Sequence, residues 1–282
     1  MPGYEFRALE LDAGGLAECA AVLGTALTPE LDRAYLTWLY AENPAGTAVG
    51  FNAFHDGMIV AHYVTIPVAA WLNGRIEKGL LSLNTATHGG HRGRGLFPLL
   101  AERTYSLGAE SGYGFVIGVG NARSTPGLTQ KLGFQLVAPL DVQMGIGEFE
   151  SMPGPTGRSY ASHWTDDAIA WRLRRPGARY VAGRLHGDQR DVFATVPRLG
   201  VLACLDRISA GLAAALPPAK FASPLRLRIG LDRAARRSGV WVKVPDWIKP
   251  SPLNLIFRDL GSARRTLDAD HVRWTLLDFD AY

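Results

Sequence analysis

The segment from Asn84 to Phe97 limits the folds open to this chain more than any other stretch. Residues 80–87 are rich in residues that favour strands, and they run into a basic turn with four glycines, Gly89, Gly90, Gly93 and Gly95. Glycine lets a backbone bend tightly and leaves room beside it for a ligand. The first amides of the helix that follows lack partners within it, so the turn favours an anion, and Arg92 and Arg94 add positive charge. The segment therefore predicts a strand, an anion-binding turn and a helix.

Two familiar phosphate-binding patterns do not fit this turn. The Walker pattern ends in Gly-Lys-Ser/Thr, which is absent here. The dinucleotide fingerprint needs a different glycine spacing and an acidic residue further along the chain. The anion that binds here is therefore expected to belong to another class of ligand.

The turn resembles the pyrophosphate loop of the GNAT acyl-CoA N-acyltransferases, whose pattern is Gln/Arg-x-x-Gly-x-Gly/Ala. Gly93 and Gly95 match the two glycine positions, and Arg92 matches the arginine common before the first. Gly90 stands where the family usually has Gln or Arg. Residues 115–124 and 130–134 then match the family's next strand, its Asn-x-x-Ser step and its Lys-Leu-Gly-Phe ending, in the family's order.

The resemblance implies an α/β (α+β) fold, the GNAT fold, in which helices flank a mixed, strongly twisted sheet. In that family the sheet splays between its fourth and fifth strands, and the pantetheine arm of the coenzyme lies in the gap. Here the gap would lie between residues 80–87 and 115–120. We therefore expect acetyl-CoA, or another acyl-CoA, as co-substrate.

The resemblance also assigns coenzyme-binding residues. A backbone amide of the fourth strand would polarise the thioester carbonyl, and the following chain would wrap the diphosphate. Asn121 would bind the pantetheine arm. The full set implied is Thr85, Ala86, Thr87, His91, Arg92, Gly93, Arg94, Gly95, Leu96, Asn121 and Ser124.

The residues that move protons are harder to assign. Family members often carry a Glu base on the fourth strand, where Ser82 and Asn84 share a face, and a Tyr acid at the position of Thr129. None of these three side chains is a strong acid or base, so either water or a residue from elsewhere takes the proton. Asn84, His62 and Asp280 are taken as the catalytic candidates, with Glu77 and Asp278 as weaker alternatives.

The chain also looks internally duplicated. A tryptophan, a Pro-Gly step and a hairpin ending in Thr-x-Pro recur at a near-constant offset, with hairpins at 47–67 and 178–197. The second copy continues with a predicted helix at 199–216 but lacks the glycine-rich turn. We predict a coenzyme-binding GNAT domain at 1–150 and a degenerate GNAT-like domain at 151–282 on the side of the acceptor substrate, joined by a linker that begins at Ser151.

Composition indicates which broad classes of protein this chain does not resemble. No run of 18 apolar residues occurs, and the N-terminus lacks the features of a signal peptide. The two cysteines, Cys19 and Cys204, read as buried free thiols of a cytoplasmic protein. The histidines lack metal-ligand spacing, which predicts no metal site. Residues 1–150 hold 9 Lys and Arg against 14 Asp and Glu, whereas 151–282 hold 21 against 12, yet the arginines are too scattered to indicate nucleic acid.

The predicted function is transfer of a short acyl group from acyl-CoA to a primary amine on a small molecule. The order of motifs resembles the tandem-GNAT proteins of surface-polysaccharide and amino-sugar pathways, which implies an amino sugar, free or nucleotide-linked, as acceptor. One alternative is a non-catalytic acyl-CoA-binding or scaffold protein. Another is an aminoacyl-tRNA-dependent transferase, which also pairs two GNAT-like halves but needs no intact coenzyme loop.

Overall fold

The computed structural model describes residues 3–150, 157–196, 200–220, 224–249 and 251–279. The α-helices are α1 Ala13–Ala26, α2 Arg33–Leu36, α3 Leu96–Glu110, α4 Thr125–Lys131, α5 Asp166–Leu173 and α6 Ala210–Ala213. Further helical turns are a π-helix at Thr37–Ala41 and 3₁₀ turns at Gly89–His91, Ala269–His271 and Leu276–Asp278. The strands are β1 Glu5–Ala8, β2 Val49–His55, β3 Met58–Leu72, β4 Arg75–Thr87, β5 Phe115–Gly120, β6 Gln135–Pro139, β7 Asp141–Ile146, β8 Phe149–Glu150, β9 Tyr160–Ser162, β10 Tyr180–His186, β11 Gln189–Val196, β12 Val201–Ser209, β13 Arg226–Asp232, β14 Arg236–Arg237, β15 Val240–Lys243, β16 Asn254–Asp259 and β17 Val272–Trp274.

The chain divides into two compact units. The first comprises Met1–Ala69, Glu77–Leu136 and Leu255–Thr266, and the second comprises Ala70–Ile76, Val137–Asn254 and Leu267–Tyr282. A segment from late in the chain, β16 and the residues after it, thus groups with the first unit. The assignment of 1–150 and 151–282 as two GNAT-like copies stays a prediction, and most of its linker, 151–156, lies outside the described residues.

The first unit is a mixed sheet with helices against it. β1 pairs antiparallel with β2, β2 pairs antiparallel with β3, and β4 pairs in parallel with β5. Helix α3 packs on β2 and contributes to a buried apolar core, which includes Tyr63, Leu80, Leu100, Val116 and Ile256. The predicted α/β fold class is confirmed.

Capping residues fix where the N-terminal helices begin. Asp12 Oδ1 accepts a hydrogen bond from Gly15 N at 2.8 Å and caps the start of α1. Asp32 Oδ1 accepts from Tyr35 N at 2.8 Å and starts α2. This helix continues as a π-helix that places Tyr40 and its neighbours in the core. The widened turn is a local feature common at functional sites.

The second unit is dominated by strands. β10, β11 and β12 form an antiparallel meander, β13 runs parallel to β12, and β7 and β17 pair antiparallel with β13. The predicted hairpin at 178–197 is present as β10 and β11. The predicted helix at 199–216 is wrong over 201–209, which form β12, whereas 210–213 form the short helix α6. Residue 199 of the predicted range lies outside the described residues.

The physical reason for this error is visible in the burial pattern. Val201, Ala203 and Leu205 alternate with less buried neighbours, which is the period of a strand. Leucine and alanine favour helices in isolation, but the positions between β11 and β13 in the sheet override that preference.

Among the described helices, none is long and apolar enough to cross a bilayer.

Candidate functional site

The turn before α3 is open and held by local contacts. His88 caps the 3₁₀ turn at Gly89–His91, and its Nδ1 accepts from Gly90 N at 3.3 Å. Gly93 and Gly95 then adopt left-handed backbone angles, with φ of 73° and 74°. Gly95 is the N-cap of α3 and offers no side chain to the helix amides. No atom lies within 4 Å of a Cβ placed on Gly93, so the backbone there faces open space.

Positive charge borders this turn without local neutralisation. Arg92 and Arg94 are both exposed, and neither forms an ion pair with the described carboxylates. Arg92 Nε donates to Thr87 O at 3.2 Å, which orients its guanidinium beside the end of β4. Leu96 is buried and anchors the first turn of α3 to the core. The amides at the start of α3 therefore face a region of positive potential.

Three histidine rings gather at the same turn. The ring centroid of His91 lies 5.0 Å from that of His55 and 5.8 Å from that of His88. The Tyr4 hydroxyl and His91 Nδ1 are 2.8 Å apart and hydrogen-bonded. Partial desolvation, helped by the nearby His55 and Arg94, lowers the pKa of His91. Among the described residues, no group of three His, Cys, Asp or Glu could hold a metal ion.

The end of β4 separates from β5. Their parallel pairing joins Leu80 with Val116 and ends at Ser82 with Gly118. Two residues later, Asn84 has a φ of 45°, which is a strained angle for a residue with a side chain but one that Asn tolerates. Residues 85–87 follow this irregularity and lead into the turn. The gap predicted between 80–87 and 115–120 stays a prediction, and residues 80–82 are paired with 116–118.

A chain of buried hydrogen bonds begins at Asn84. Its Nδ2 donates to the Tyr40 hydroxyl at 3.0 Å, and that hydroxyl lies 3.1 Å from His62 Nε2. His62 Nδ1 lies 2.7 Å from Asn52 Oδ1, and Asn52 Nδ2 is 3.5 Å from Cys19 Sγ. We refer to these five residues as the Asn84 relay.

The hydrogen-bond partners of His62 determine which of its ring nitrogens carries the proton. Asn52 Oδ1 can only accept, so Nδ1 of His62 carries the proton and Nε2 accepts from the Tyr40 hydroxyl. His62 is fully buried, and burial lowers its pKa to about 3. A ring with this pKa stays neutral near pH 7. His62 therefore orients Tyr40 and, through it, Asn84, and is a poor proton acceptor.

A second group of hydroxyls lies beside Ser82. The Tyr63 hydroxyl is 2.7 Å from Ser82 Oγ and 2.5 Å from the Tyr105 hydroxyl. Burial raises the pKa of Tyr63 to about 12, and both hydrogen bonds oppose this shift in part. Side-chain hydrogen bonds thus hold β4 both at Ser82, where its pairing with β5 ends, and at Asn84.

Asn121 and Ser124 build the turn between β5 and α4. Asn121 Oδ1 accepts from Arg123 N and from Ser124 N, both at 2.9 Å. Ser124 Oγ accepts from Asn121 N at 3.0 Å in return. The side-chain oxygen of Asn121 is therefore occupied, and its amide nitrogen is the group left to donate to a ligand.

The other predicted proton-handling residues have different environments. Asp280 lies outside the described residues. Asp278 is buried, caps Thr275 and accepts from Trp164 Nε1 at 2.9 Å. Glu77 accepts from Arg265 at 2.7 Å, and Thr129 Oγ1 donates to Thr125 O at 2.9 Å. The roles of Asp278, Glu77 and Thr129 are thus accounted for by local structure.

The structure joins Asn84 and His62, which sequence analysis singled out separately. The residue that connects them is Tyr40, whose hydroxyl partners the sequence alone does not show. Asn52 and Cys19 carried no signal beyond their places in a strand and a helix. Only the three-dimensional pairing of β2, β3 and the π-helix reveals the relay.

Comparison with known proteins gives a likeness in fold. No family model matches the chain, and no curated protein matches it in sequence. One similar structure is a conserved protein of unknown function from Enterococcus faecalis V583, described as a probable N-acyltransferase, with TM-score 0.59, 9% identity and coverage of 91% of this chain and 73% of that chain. A GCN5-related N-acetyltransferase from Anabaena variabilis ATCC 29413 has TM-score 0.59, 12% identity and coverage of 92% and 74%. Another from Kribbella flavida has TM-score 0.60, 11% identity and coverage of 91% and 71%. The chain therefore has the fold of the GCN5-related N-acetyltransferases.

Proposed function

We propose that this protein is an acyl-CoA-dependent N-acyltransferase that acts on a primary amine. The observation that carries the proposal is the turn before α3. It combines two left-handed glycines, open space beside Gly93, helix amides without side-chain caps, and two unpaired arginines. A coenzyme diphosphate matches this arrangement in charge and in its need for close backbone approach.

The chemistry follows from where the turn lies. Residues 85–87 end the strand that leaves β5 after Ser82, so their amides are the donors nearest to the proposed path of the acyl arm. A backbone amide aimed at the thioester oxygen would stabilise the negative charge that develops when the amine attacks. The amide nitrogen of Asn121 would hold the arm on the opposite strand.

Asn84 is proposed to position the acceptor rather than to deprotonate it. Because its Nδ2 is held by Tyr40, its Oδ1 can accept a hydrogen bond from the incoming amine. The relay contains no carboxylate, and His62 stays neutral, so water or Asp280 would take the amine proton. Direct attack on the thioester then releases the coenzyme thiolate.

The acceptor is proposed to be a small molecule with a primary amine, and the resemblance of motifs favours an amino sugar. Aromatic rings can stack on sugar faces, and the sequence offers Trp38, Tyr40, Tyr63 and Trp71 for this role. The first three are buried in the core. They cannot stack on a ligand face without unfolding their surroundings. Trp71 is only partly buried, which makes it the one of the four that a sugar could reach.

A cytoplasmic location accords with the two free cysteines.

A second candidate is a protein that binds acyl-CoA without transfer. Thr129 at the position of the family acid favours it, as does the absence of a strong base from the relay. Incubation with acetyl-CoA and a wide panel of amines, with free thiol as readout, separates the two. Tight coenzyme binding without thiol release across the panel would support the second candidate.

The coenzyme site itself is tested by Gly93→Glu, which places a carboxylate where the diphosphate is proposed to bind. Gly112→Glu is the matched control, because Gly112 has a similar left-handed φ of 86° and open space around it at the far end of α3. Both variants carry the same kind of backbone strain, roughly 1–2 kcal/mol. We expect calorimetry to show coenzyme binding lost in Gly93→Glu and kept in Gly112→Glu. Unchanged affinity in Gly93→Glu would overturn the assignment.

A further inference from the structure

A cavity of about 710 Å³ lies within the second unit. Strands β11, β12 and β13 supply much of its lining, and aromatic side chains from Trp71, Phe149 and Trp164 contribute to the rest. The volume is in the range of pockets that hold small organic molecules, roughly 300–1,000 Å³. The predicted functional residues of the first unit are not part of this lining.

Arg228 on β13 is the unusual member of the lining. Its side chain is only 7% exposed, and its Nη1 atom has no hydrogen-bond partner among the described residues. The guanidinium carbon lies 3.8 Å from the centroid of the Phe149 ring. Burial lowers the pKa of Arg228, with Asp232 opposing that shift, yet arginine remains charged in proteins. A buried guanidinium with an unused donor is unfavourable unless a ligand completes it.

The carboxylates around the cavity already have partners. Asp191 accepts from Arg207 Nε at 2.9 Å, Asp206 accepts from Arg273 Nη2 at 2.6 Å, and Asp232 accepts from Arg158 Nη1 at 3.2 Å. Glu148 pairs with Arg184. None of these acids forms an ion pair with Arg228. Asp232 and Asp141 attract the guanidinium from a distance, but Nη1 keeps a donor that a ligand could use.

Strand geometry brings further charge and a thiol next to this guanidinium. Arg226 lies two residues before Arg228 on the same strand and so faces the same side of the sheet. Cys204 on β12 is the register partner of Arg228, lines the same cavity and is partly buried. Burial raises the pKa of Cys204 to about 12, and both arginines oppose this shift.

We propose that this cavity binds a small molecule through an oxyanion, a carboxylate or a phosphate, held by Arg228. The flat guanidinium presents paired donors that suit either group. The aromatic side chains of the lining would cover the apolar part of the ligand. The residues that line this site belong to the second unit, and the proposal does not depend on the function proposed for the turn before α3.

Cys204 makes the proposal testable by affinity labelling. The full-length protein is alkylated with iodoacetate, whose carboxylate mimics the ligand group, or with neutral iodoacetamide, and the rate at Cys204 is followed by peptide mass spectrometry. Cys19 is fully buried and does not compete. The rate with iodoacetate is divided by the rate with iodoacetamide, for Cys204 and for a small free thiol. The ratio at Cys204 divided by the ratio for the free thiol is the normalised ratio, and it measures how strongly the cavity attracts the carboxylate. We expect a preference of about tenfold, as a nearby buried charge would give.

Substitutions and competing anions test whether Arg228 is the group that attracts the carboxylate. Arg228→Gln should bring the normalised ratio to one, whereas Arg179→Gln, which removes an exposed arginine of the same unit outside the lining, should leave it unchanged. If Arg228→Gln does not fold, Arg226→Gln should lower the ratio partway. Saturable protection of wild-type Cys204 by benzoate would identify a carboxylate site, and protection by inorganic phosphate a phosphate site. Each should persist in Gly93→Glu, in which the coenzyme turn is blocked.

Two results would overturn the proposal. One is a normalised ratio of one in the wild-type protein, which would mean that Arg228 is satisfied internally, for example by Gln143 Oε1 opposite it in the sheet. The other is a raised ratio that neither benzoate nor phosphate reduces. Loss of coenzyme binding in Gly93→Glu bears on the first unit alone, so the two proposals fail independently.

Discussion

Asn84 Nδ2 donates a hydrogen bond to the Tyr40 hydroxyl across 3.0 Å, which ties an irregular strand end to a π-helix more than forty residues earlier. Asn84 holds a φ of 45° at this point. A residue with a side chain keeps such an angle only where surrounding contacts determine it. The Asn84 relay supplies those contacts, and the amides of residues 85–87 follow directly.

Tyr40→Phe should lower both stability and turnover. The change leaves Asn84 Nδ2 and His62 Nε2 without their shared partner, and a buried group without a hydrogen bond destabilises a fold by about 1–3 kcal/mol. Urea unfolding measures the loss of stability, and thiol release at saturating acetyl-CoA measures turnover. We expect kcat to fall while the coenzyme Kd stays within about twofold, since the diphosphate turn is untouched.

The control for this variant is Tyr113→Phe, which removes a partly buried hydroxyl outside the relay. It should leave turnover unchanged. Equal kcat values for Tyr40→Phe and wild type, with an active enzyme in hand, would show that the relay has no part in positioning Asn84.

The buried imidazole of His62 predicts a specific dependence of stability on pH. Its pKa is 6.5 when unfolded and about 3 in the fold, so the unfolded chain binds one more proton between these values. Stability from this group is therefore complete above pH 6.5 and is lost as pH falls toward 3, by up to about 1.4 kcal/mol per pH unit. Tyr40 and Cys19 stay neutral throughout, because burial raises the pKa of both.

The measurement compares wild type with His62→Gln, which lacks this titration. The difference between their free energies of unfolding should shrink steadily from pH 6.5 toward pH 4, and other groups cancel in the difference. A difference that is constant over this range would mean that His62 is protonated in the folded protein.

The course of the backbone before α3 could be predicted from sequence because its signal is local. The glycines were expected to allow a tight turn before a helix, and Gly93 and Gly95 take left-handed angles just before α3 begins at Leu96. Local backbone chemistry decides such features, so a short motif contains them. The hairpin turn at Asp56 and Gly57 was predictable for the same reason.

The relay and the course of β12 could not be predicted in this way. His62 and Asn52 become partners only because β2 and β3 pair in one register, and a shift of one residue would send them to opposite faces. Val201–Ser209 forms a strand because neighbouring strands supply its hydrogen bonds, which its own composition does not reveal. Each of these features depends on residues distant in sequence.

Arg94→Ala should weaken coenzyme binding in a salt-dependent manner. Arg94 is exposed, lies between the two left-handed glycines and has no ion-pair partner among the described residues. Loss of one such contact to a diphosphate should raise the Kd by about threefold to tenfold at low salt, and by less at high salt. Titration calorimetry at two ionic strengths gives both numbers.

Arg103→Ala is the matched control, since Arg103 is an exposed arginine further along α3 whose guanidinium lies 4.8 Å from the Phe6 ring centroid. It should leave the Kd unchanged at both ionic strengths. Identical effects of the two substitutions would indicate a general charge effect and would contradict a specific contact from Arg94.

Arg265→Met should destabilise the first unit strongly, because Arg265 ties the late segment of the chain to β4. It donates to Glu77 Oε1 at 2.7 Å and to Asp259 Oδ1 at 2.8 Å. Burial alone would raise the pKa of Asp259, but the hydrogen bonds from Arg265 outweigh it and lower that pKa. Without Arg265, the Asp259 side chain, which is 2% exposed, stays buried with no cation, at a loss of about 2–4 kcal/mol.

Urea unfolding of Arg265→Met at neutral pH measures this loss, and Arg265→Met with Asp259→Asn should recover part of it, since the buried charge is then gone. Arg7→Met, which breaks the exposed pair with Glu5, should change stability little. The folded pKa of Asp259 lies below its unfolded value of 3.8. The ion pair therefore contributes fully to the free energy of unfolding above pH 3.8, and this contribution is lost as pH falls through the folded pKa. The gap in stability between wild type and Arg265→Met should therefore narrow in acid below pH 3.8. A gap that stays constant down to the acid transition would show that the ion pair between Arg265 and Asp259 does not contribute to stability.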